Sequence, residues 1–231
     1  MTLSFSKLLL FCALFYCLLL KAQDNTALLW ENEIDVNAQL SETISLNLGT
    51  AYRNEISEGL TNTSYDYQSK HLQFSTNVGT IVGFYGKISG GVMYRFNTIE
   101  SSEIENELRL SQQYSYGKRF NAVRVVHRLQ LDERIRASST IWRARYRFSG
   151  DLPLNGLKLD KGELYLVIST ESLLSLSSES APEWDQRFTV ALGNQLTDKV
   201  KIQLDAEYRI EDYYAADNKR IFVVTGLIYK W

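Results

Sequence analysis

The end of the chain, Lys219 to Trp231 (KRIFVVTGLIYKW), constrains the fold more than any other stretch. Ile221, Val223, Thr225, Leu227, Tyr229 and Trp231 share one parity, and Phe222, Val224, Gly226, Ile228 and Lys230 share the other. Alternate residues of a strand point to opposite faces, so this segment would show one mostly apolar face that ends on two aromatics. Its backbone needs neighbours on both edges, and its apolar face needs surroundings other than water.

The same period of two recurs upstream. Trp30, Ile34, Val36, Ala38 and Leu40 oppose Glu31, Glu33, Asp35, Asn37 and Gln39, with Asn32 interrupting the apolar side. Further stretches run from Ile44 to Glu55, Lys70 to Thr80, Lys87 to Thr98, Glu103 to Tyr116, Asn121 to Ile135 and Thr140 to Leu154. Glu163 to Glu171, Arg187 to Leu196 and Val200 to Glu211 precede the closing strand. A helix would scatter these charges around its circumference, so the period predicts strands. Tight turns are expected at Ser41–Thr43, Gly83, Gly117–Arg119 and Asp198, and longer loops at 57–69 and across the serine-rich 172–185. Connections that alternate short and long, with strands of about ten residues, are the pattern of an antiparallel transmembrane β-barrel. Eleven stretches are visible. Single-chain bacterial barrels carry an even number, so a strand missed near Pro153 or before Trp30 would give twelve, with ten as the alternative.

The first residues read as targeting rather than fold. Lys7 precedes the apolar run Leu8–Leu20, too short to span a bilayer comfortably, and Ala22 offers a cleavage point. Residues 1–22 are therefore expected to be a signal peptide and 23–231 the barrel. Both cysteines, Cys12 and Cys17, fall in the leader, so the exported chain would have neither disulfide nor thiol chemistry. A formal net charge of −2 argues against general nucleic-acid binding. Two prolines and fourteen tyrosines suit an all-β chain.

His127–Arg134 (HRLQLDER), Arg143–Phe148 (RARYRF) followed by Leu152–Gly156 (LPLNG), and Asp185–Leu196 (DQRFTVALGNQL) resemble segments of the outer-membrane proteins grouped as the domain-of-unknown-function family numbered 2490. The resemblance spans most of the exported chain. It implies a barrel in a Gram-negative outer membrane and brings no activity with it.

The polar parity is rich in charge of both signs. Arg109, Arg124, Arg128, Arg143, Arg145 and Arg147, with Glu105, Glu107 and Asp132, are expected to line the lumen. Balanced opposite charge on facing strands fits a self-neutralised interior that holds register, a structural scaffold. The same charges, arginines gathered between Arg124 and Arg147 and acids on the first and fifth stretches, also fit a narrow channel whose transverse field orients small acidic or zwitterionic solutes. A third class is a lipid- or peptide-hydrolysing barrel with His71 as base near Ser64, Asp66 and Ser69. No nucleophile motif accompanies His71, so the expectation is a non-enzyme. His127 falls on the lipid-facing parity, which would require a bulge or a shifted register.

Two distant histidines offer no metal-ligand spacing, and no cofactor is expected. Tyr52, Tyr94, Tyr114, Tyr116, Tyr146, Tyr208, Tyr229 and Trp231 read as interfacial girdles. Gly226, Tyr229 and Trp231 form a terminal signal for barrel-assembly machinery. The expected partners are that machinery, outer-membrane lipid and a small solute. A secreted lipocalin-type barrel would show the same periodicity. The aromatic terminus and the charged second face favour the membrane.

Overall fold

The computed structural model describes residues 26–57, 67–97, 104–213 and 218–231. The expected signal peptide lies outside them. The strands are β1 (Ala27–Gln39), β2 (Ile44–Ser57), β3 (Gln68–Val82), β4 (Gly86–Phe96), β5 (Glu107–Phe120) and β6 (Val123–Ile135). They continue as β7 (Thr140–Pro153), β8 (Leu164–Ser177), β9 (Glu183–Gln195), β10 (Val200–Glu211) and β11 (Asn218–Lys230). Each pairs antiparallel with the next, and β1 closes on β11 to complete a barrel. No helix occurs among the described residues.

Among the described residues the barrel closes with eleven strands, where twelve, or alternatively ten, were expected. An odd ring of hairpin-joined strands must contain one pair that runs the same way, and here that pair is β1·β11, from Ala27↔Arg220 to Asn37↔Lys230. The Trp30 stretch is thus a full barrel strand that starts at the same end as β11. No strand hides near Pro153, because the amide of Leu154 donates to the carbonyl of Leu164 at 2.8 Å and shuts that loop directly.

Three further expectations are corrected. The turn expected at Gly117–Arg119 lies at Asn121–Ala122, since β5 continues through Phe120. Asn121 takes φ 56°, a left-handed conformation that asparagine tolerates. The loop expected across 172–185 is mostly strand: β8 runs to Ser177 and β9 begins at Glu183. Alternation of Ser with Leu there keeps a period of two despite the polar composition, with Leu174 and Leu176 outward and Leu173 and Ser175 inward. The two ends are also less asymmetric than expected. One end carries connections 40–43, 83–85, 121–122 and 196–199 but also the long 154–163, while the other carries the short 136–139 and 178–182.

The inside and outside differ as the alternation requires. Outward residues form an exposed apolar belt that includes Ile34, Leu48, Val78, Val92, Leu131 and Leu204. Exposed aromatics edge it at both rims, with Tyr85, Tyr116 and Phe120 at one end and Phe96, Trp142 and Trp184 at the other. Inward residues are mainly polar, with Leu29, Tyr165, Leu173 and Phe222 as the large buried apolar exceptions.

Candidate functional site

The register fixes the lumen's dimensions. Perpendicular to the strands, Glu33 leads one way to Gly226, Gln203, Gly193, Tyr165 and Pro153. The other way it leads to Ala51, Gln73, Arg95 and Glu107. Carried onto β6 by the neighbouring registers, the two paths arrive at Ala122 and Arg136, an offset of 136 − 122 = 14 residues. With eleven strands, a spacing of about 4.8 Å and a rise of about 3.3 Å, that shear gives a tilt of about 41° and a backbone radius of about 11 Å. Such a barrel is wider than the eight-stranded kind that side chains fill and narrower than a porin.

Because the strands follow chain order around the ring, β1 stands diametrically opposite β6 and β7. The inward face of β1 carries Glu31, Glu33 and Asp35. That of β6 and β7 carries Arg124, Arg128, Arg134, Arg143, Arg145 and Arg147, together with Asp132 and Asp151. The lumen therefore has an acidic wall facing a largely basic one.

Most of these charges are paired across neighbouring strands. Glu107, fully buried, accepts from Arg109 Nη2 at 2.6 Å, from Arg134 at 3.0 and 2.7 Å, and from Arg136 at 3.1 and 3.0 Å. Asp132 pairs with Arg145 at 2.7 Å, and Glu171 lies 3.5 Å from Arg128 and 3.6 Å from Arg187. Asp185 lies 3.9 Å from Arg143. Glu31 pairs with Arg53, and Glu207 with Arg209. The Phe222 ring sits between two of these cations, with Arg209 3.5 Å and Arg53 4.7 Å from its centroid.

Arg95 and Arg147 differ from the other arginines of this chamber. Neither has a carboxylate within 4.0 Å among the described residues. Arg95 donates to the neutral Gln73 Oε1 at 3.2 and 2.7 Å, and Arg147 to Ser169 Oγ at 2.9 Å. The guanidinium Nε–H groups of Arg109, Arg145 and Arg187 are buried without an acceptor.

Two cavities occupy the lumen. One, about 550 Å³, lies toward the 136–139 end, and Glu33, Arg95, Arg145 and Arg147 are among its lining residues. The other, about 620 Å³, lies toward the tight-turn end and is lined by Lys87, Arg124, Asp151, Lys199, Lys201 and Lys230, among others. Arg147 borders the first and Ser149, the next inward residue of β7, borders the second, so the two approach each other at mid-lumen. Tyr165 caps part of the second. Its ring lies over Gly193, where an added Cβ would sit 2.1 Å from Cζ, and its hydroxyl donates to Gln203 Oε1 at 2.9 Å.

Of the residues expected to line the lumen, Arg109, Arg128, Arg143, Arg145 and Arg147 line the first cavity and Arg124 the mouth of the second, paired with Asp151 at 2.8 Å. Glu107 and Asp132 are buried beneath their arginines. Glu105 is a correction: it precedes β5, and its carboxylate caps the 136–139 turn, accepting from Ser138 N at 3.0 Å and Ser138 Oγ at 2.8 Å. Those two bonds hold its carboxyl below the usual glutamate range.

Gly226 faces inward beside Gln203, and Trp231 is exposed at the rim, its amide bonded to Asn37 O at 2.8 Å. Tyr229 pairs with Val36 across the seam.

His71 is buried on the inner wall opposite Arg53, not hydrated at the rim, and Ser69 is also buried. Ser64 and Asp66 lie outside the described residues. His127 does face outward, in regular register without a bulge. Its Nδ1 lies 2.8 Å from Tyr146 Oη and its ring 5.0 Å from that of Phe148, so it joins the aromatic surface of the barrel.

Sequence reasoning missed the Phe222 stack, the Tyr165–Gly193 contact and the lumen residues Leu173 and Ser175. The one available signal was a glycine and a tyrosine of inward parity on adjacent strands.

A family model described as "Protein of unknown function (DUF2490)" matches residues 29–220. No curated protein matches the chain. Among solved structures, it is similar to the siderophore receptor PirA from Pseudomonas aeruginosa, with 14% identity and a TM-score of 0.32. That similarity covers 80% of this chain and 35% of the receptor.

Proposed function

From the premise that this chain belongs to the DUF2490 family, whose function is unknown, we propose that it is an outer-membrane β-barrel forming a narrow polar diffusion channel for small solutes. The apolar belt between aromatic rims suits a bilayer core and its two interfaces, so lipid is the partner of the outer face. The closing strand, ending on Trp231, is the part that assembly machinery would read. The observation that carries the channel reading is the pair of cavities, about 550 and 620 Å³, that approach each other inside one lumen, each lined by several charged side chains. Unpaired guanidinium groups in such a space remain stable when water or a solute reaches them.

The test is single-channel conductance of the refolded barrel in a planar bilayer. The expectation is small, stable steps whose reversal potential under a salt gradient shifts when Arg143, Arg145 and Arg147 are changed to Glu. A folded barrel that carries no current refutes the channel. One observation favours a second reading, a closed envelope scaffold: the three-arginine cage on Glu107 ties β5, β6 and the 136–139 turn together.

A further inference from the structure

We infer that the tight-turn end of the lumen is a binding site for a small oxyanion of two or more charges, held between two pairs of opposed basic side chains, Lys199 with Lys230 and Arg119 with Arg124. The inference rests on reading the lumen as a solute pathway and gives that pathway its solute class.

The cavity at this end is lined by six cations, Lys87, Arg119, Arg124, Lys199, Lys201 and Lys230, against two carboxylates, Asp151 and Asp198. Asp151 is taken up by Arg124 at 2.8 Å. Among the described residues the one lysine with a carboxylate within 4.0 Å is Lys70, at the opposite end of the barrel. Arg119 donates to a main-chain oxygen, that of Leu157, at 3.4 Å. The first cavity differs, because Arg128, Arg143, Arg145 and Arg187 there each have a carboxylate within 4.0 Å.

The register sets these cations against one another. Arg119 and Arg124 are direct partners on β5 and β6. Lys199 follows the Val200↔Tyr229 pair and so stands opposite Lys230, whose amide donates to Lys199 O at 2.7 Å. In the ring of eleven strands β5 and β6 lie diametrically across from β10 and β11, so the two basic pairs face each other over the mouth. Lys201 Nζ, 5.2 Å from the Tyr165 ring centroid, is within electrostatic reach of Arg124, Asp151 and Lys230, so the cations converge on one space.

Like charges directly opposite on neighbouring strands destabilise a sheet. Two such pairs in one mouth break a local rule of sheet design, as folds do where a ligand supplies the missing charge. A singly charged anion would offset one cation and leave the facing wall as it was. An anion with two or more charged groups offsets both walls together. Ammonium groups are point donors that accept carboxylate or phosphate oxygen equally, so the shared chemistry is the oxyanion. Opposite backbone walls stand about 22 Å apart. Extended side chains from both walls, with a hydrogen bond at each end, leave room for anionic groups about 5 Å apart. That is the span of a short di- or tricarboxylate or of a small phosphorylated solute.

The experiment is calorimetric titration of the detergent-folded full chain, at low and constant ionic strength, with propane-1,2,3-tricarboxylate, pyrophosphate and butanoate. The multivalent anions should bind at least about tenfold more tightly than butanoate. Whichever of the two binds more tightly then assigns the site to carboxylate or to phosphate solutes. Lys199→Gln combined with Lys230→Gln should remove most of that preference, and its urea midpoint should be unchanged or raised, since opposed like charges are lost. If that variant does not fold, Arg119→Gln, at an exposed side chain, should weaken multivalent binding several-fold. Lys118 lies at the same end on the outer face, over the Tyr85 and Phe120 rings at 5.6 and 5.2 Å, so Lys118→Gln should leave binding unchanged. Equal affinity for the three anions, undiminished binding in the lumen variants, or an equal loss in Lys118→Gln overturns the site. Conductance separates this from the parent reading. A barrel that conducts without binding the multivalent anions loses the site and keeps the channel. A non-conducting barrel that binds them keeps the site and loses the channel.

Discussion

Replacing Glu107 with Gln tests whether the lumen network holds the barrel together. Glu107 is fully buried and accepts hydrogen bonds from Arg109, Arg134 and Arg136. The amide keeps the volume but removes the negative charge and turns an N–H₂ toward guanidinium donors. Arg109 and Arg134, with side chains 10% and 9% exposed, then become buried cations without a counter-charge. Breaking a buried pair by removing one partner costs about 3–5 kcal/mol. Arg136 is 31% exposed and rehydrates, so it adds little. The expected loss is therefore about 3–5 kcal/mol, read as a lower urea midpoint in lipid vesicles by tryptophan fluorescence, with an unchanged slope. Arg109→Gln added to Glu107→Gln should restore part of it, because one uncompensated cation disappears. A single-variant loss below about 1 kcal/mol would refute the reasoning and show that water already solvates the site.

Phe222→Ala should cost about 3 kcal/mol in the same assay, since it removes a fully buried ring and two cation–π contacts. An unchanged midpoint would mean that the two arginines gain as much from water. Gly193→Ala should cost about 1–3 kcal/mol by displacing the Tyr165 ring, and Tyr165→Phe about 1 kcal/mol by removing its bond to Gln203. The reverse order would refute the packing account. Glu105 has a depressed carboxyl pKa, so its hold on Ser138 is complete above the ordinary glutamate range and lost as pH falls through the folded value. The protection factor of the Ser138 amide, exchange being corrected for its intrinsic pH dependence, should drop as the pH falls below the ordinary glutamate range, and the change should vanish in Glu105→Gln.

Much of this architecture is written in period-two alternation. Side-chain facing along Glu31–Asp35, Arg143–Arg147 and the closing strand follows from parity alone, because a strand has no other way to place neighbours. Boundaries followed composition where composition misled. Gly117 looks like a turn yet sits inside β5, because a strand tolerates a glycine that faces a neighbouring side chain. Ser172–Ser177 looks like loop yet is strand, because serine is acceptable on either face when its neighbours are leucines. The partner of each charge was not legible, since pairing depends on register. Glu105 and Glu107 share a parity and sit two residues apart. One caps a turn and the other anchors three arginines, because β5 begins between them.

The parallel seam links closure to the charge pattern. Parallel pairing is slightly weaker per residue than antiparallel, so β1·β11 would be the weakest joint on backbone bonds alone. Side chains reinforce it on both faces. Outside, Trp30 Nε1 donates to Thr225 Oγ1 at 3.3 Å, and Thr225 Oγ1 donates to Asn32 Oδ1 at 2.7 Å. Asn32, the interruption in an apolar run, thereby places its polar group against the seam instead of the apolar belt. Inside, Arg53 of β2 pairs with Glu31 of β1 and stacks on Phe222 of β11, while Arg209 of β10 stacks on the same ring, so four strands are tied across the joint. Slipping β1 by one residue would turn Glu31, Glu33 and Asp35 toward the apolar belt, so the acidic wall itself fixes the register. That wall faces the arginines only once β1 has docked on β11. Sealing the barrel and setting up the field across its lumen are therefore one structural event.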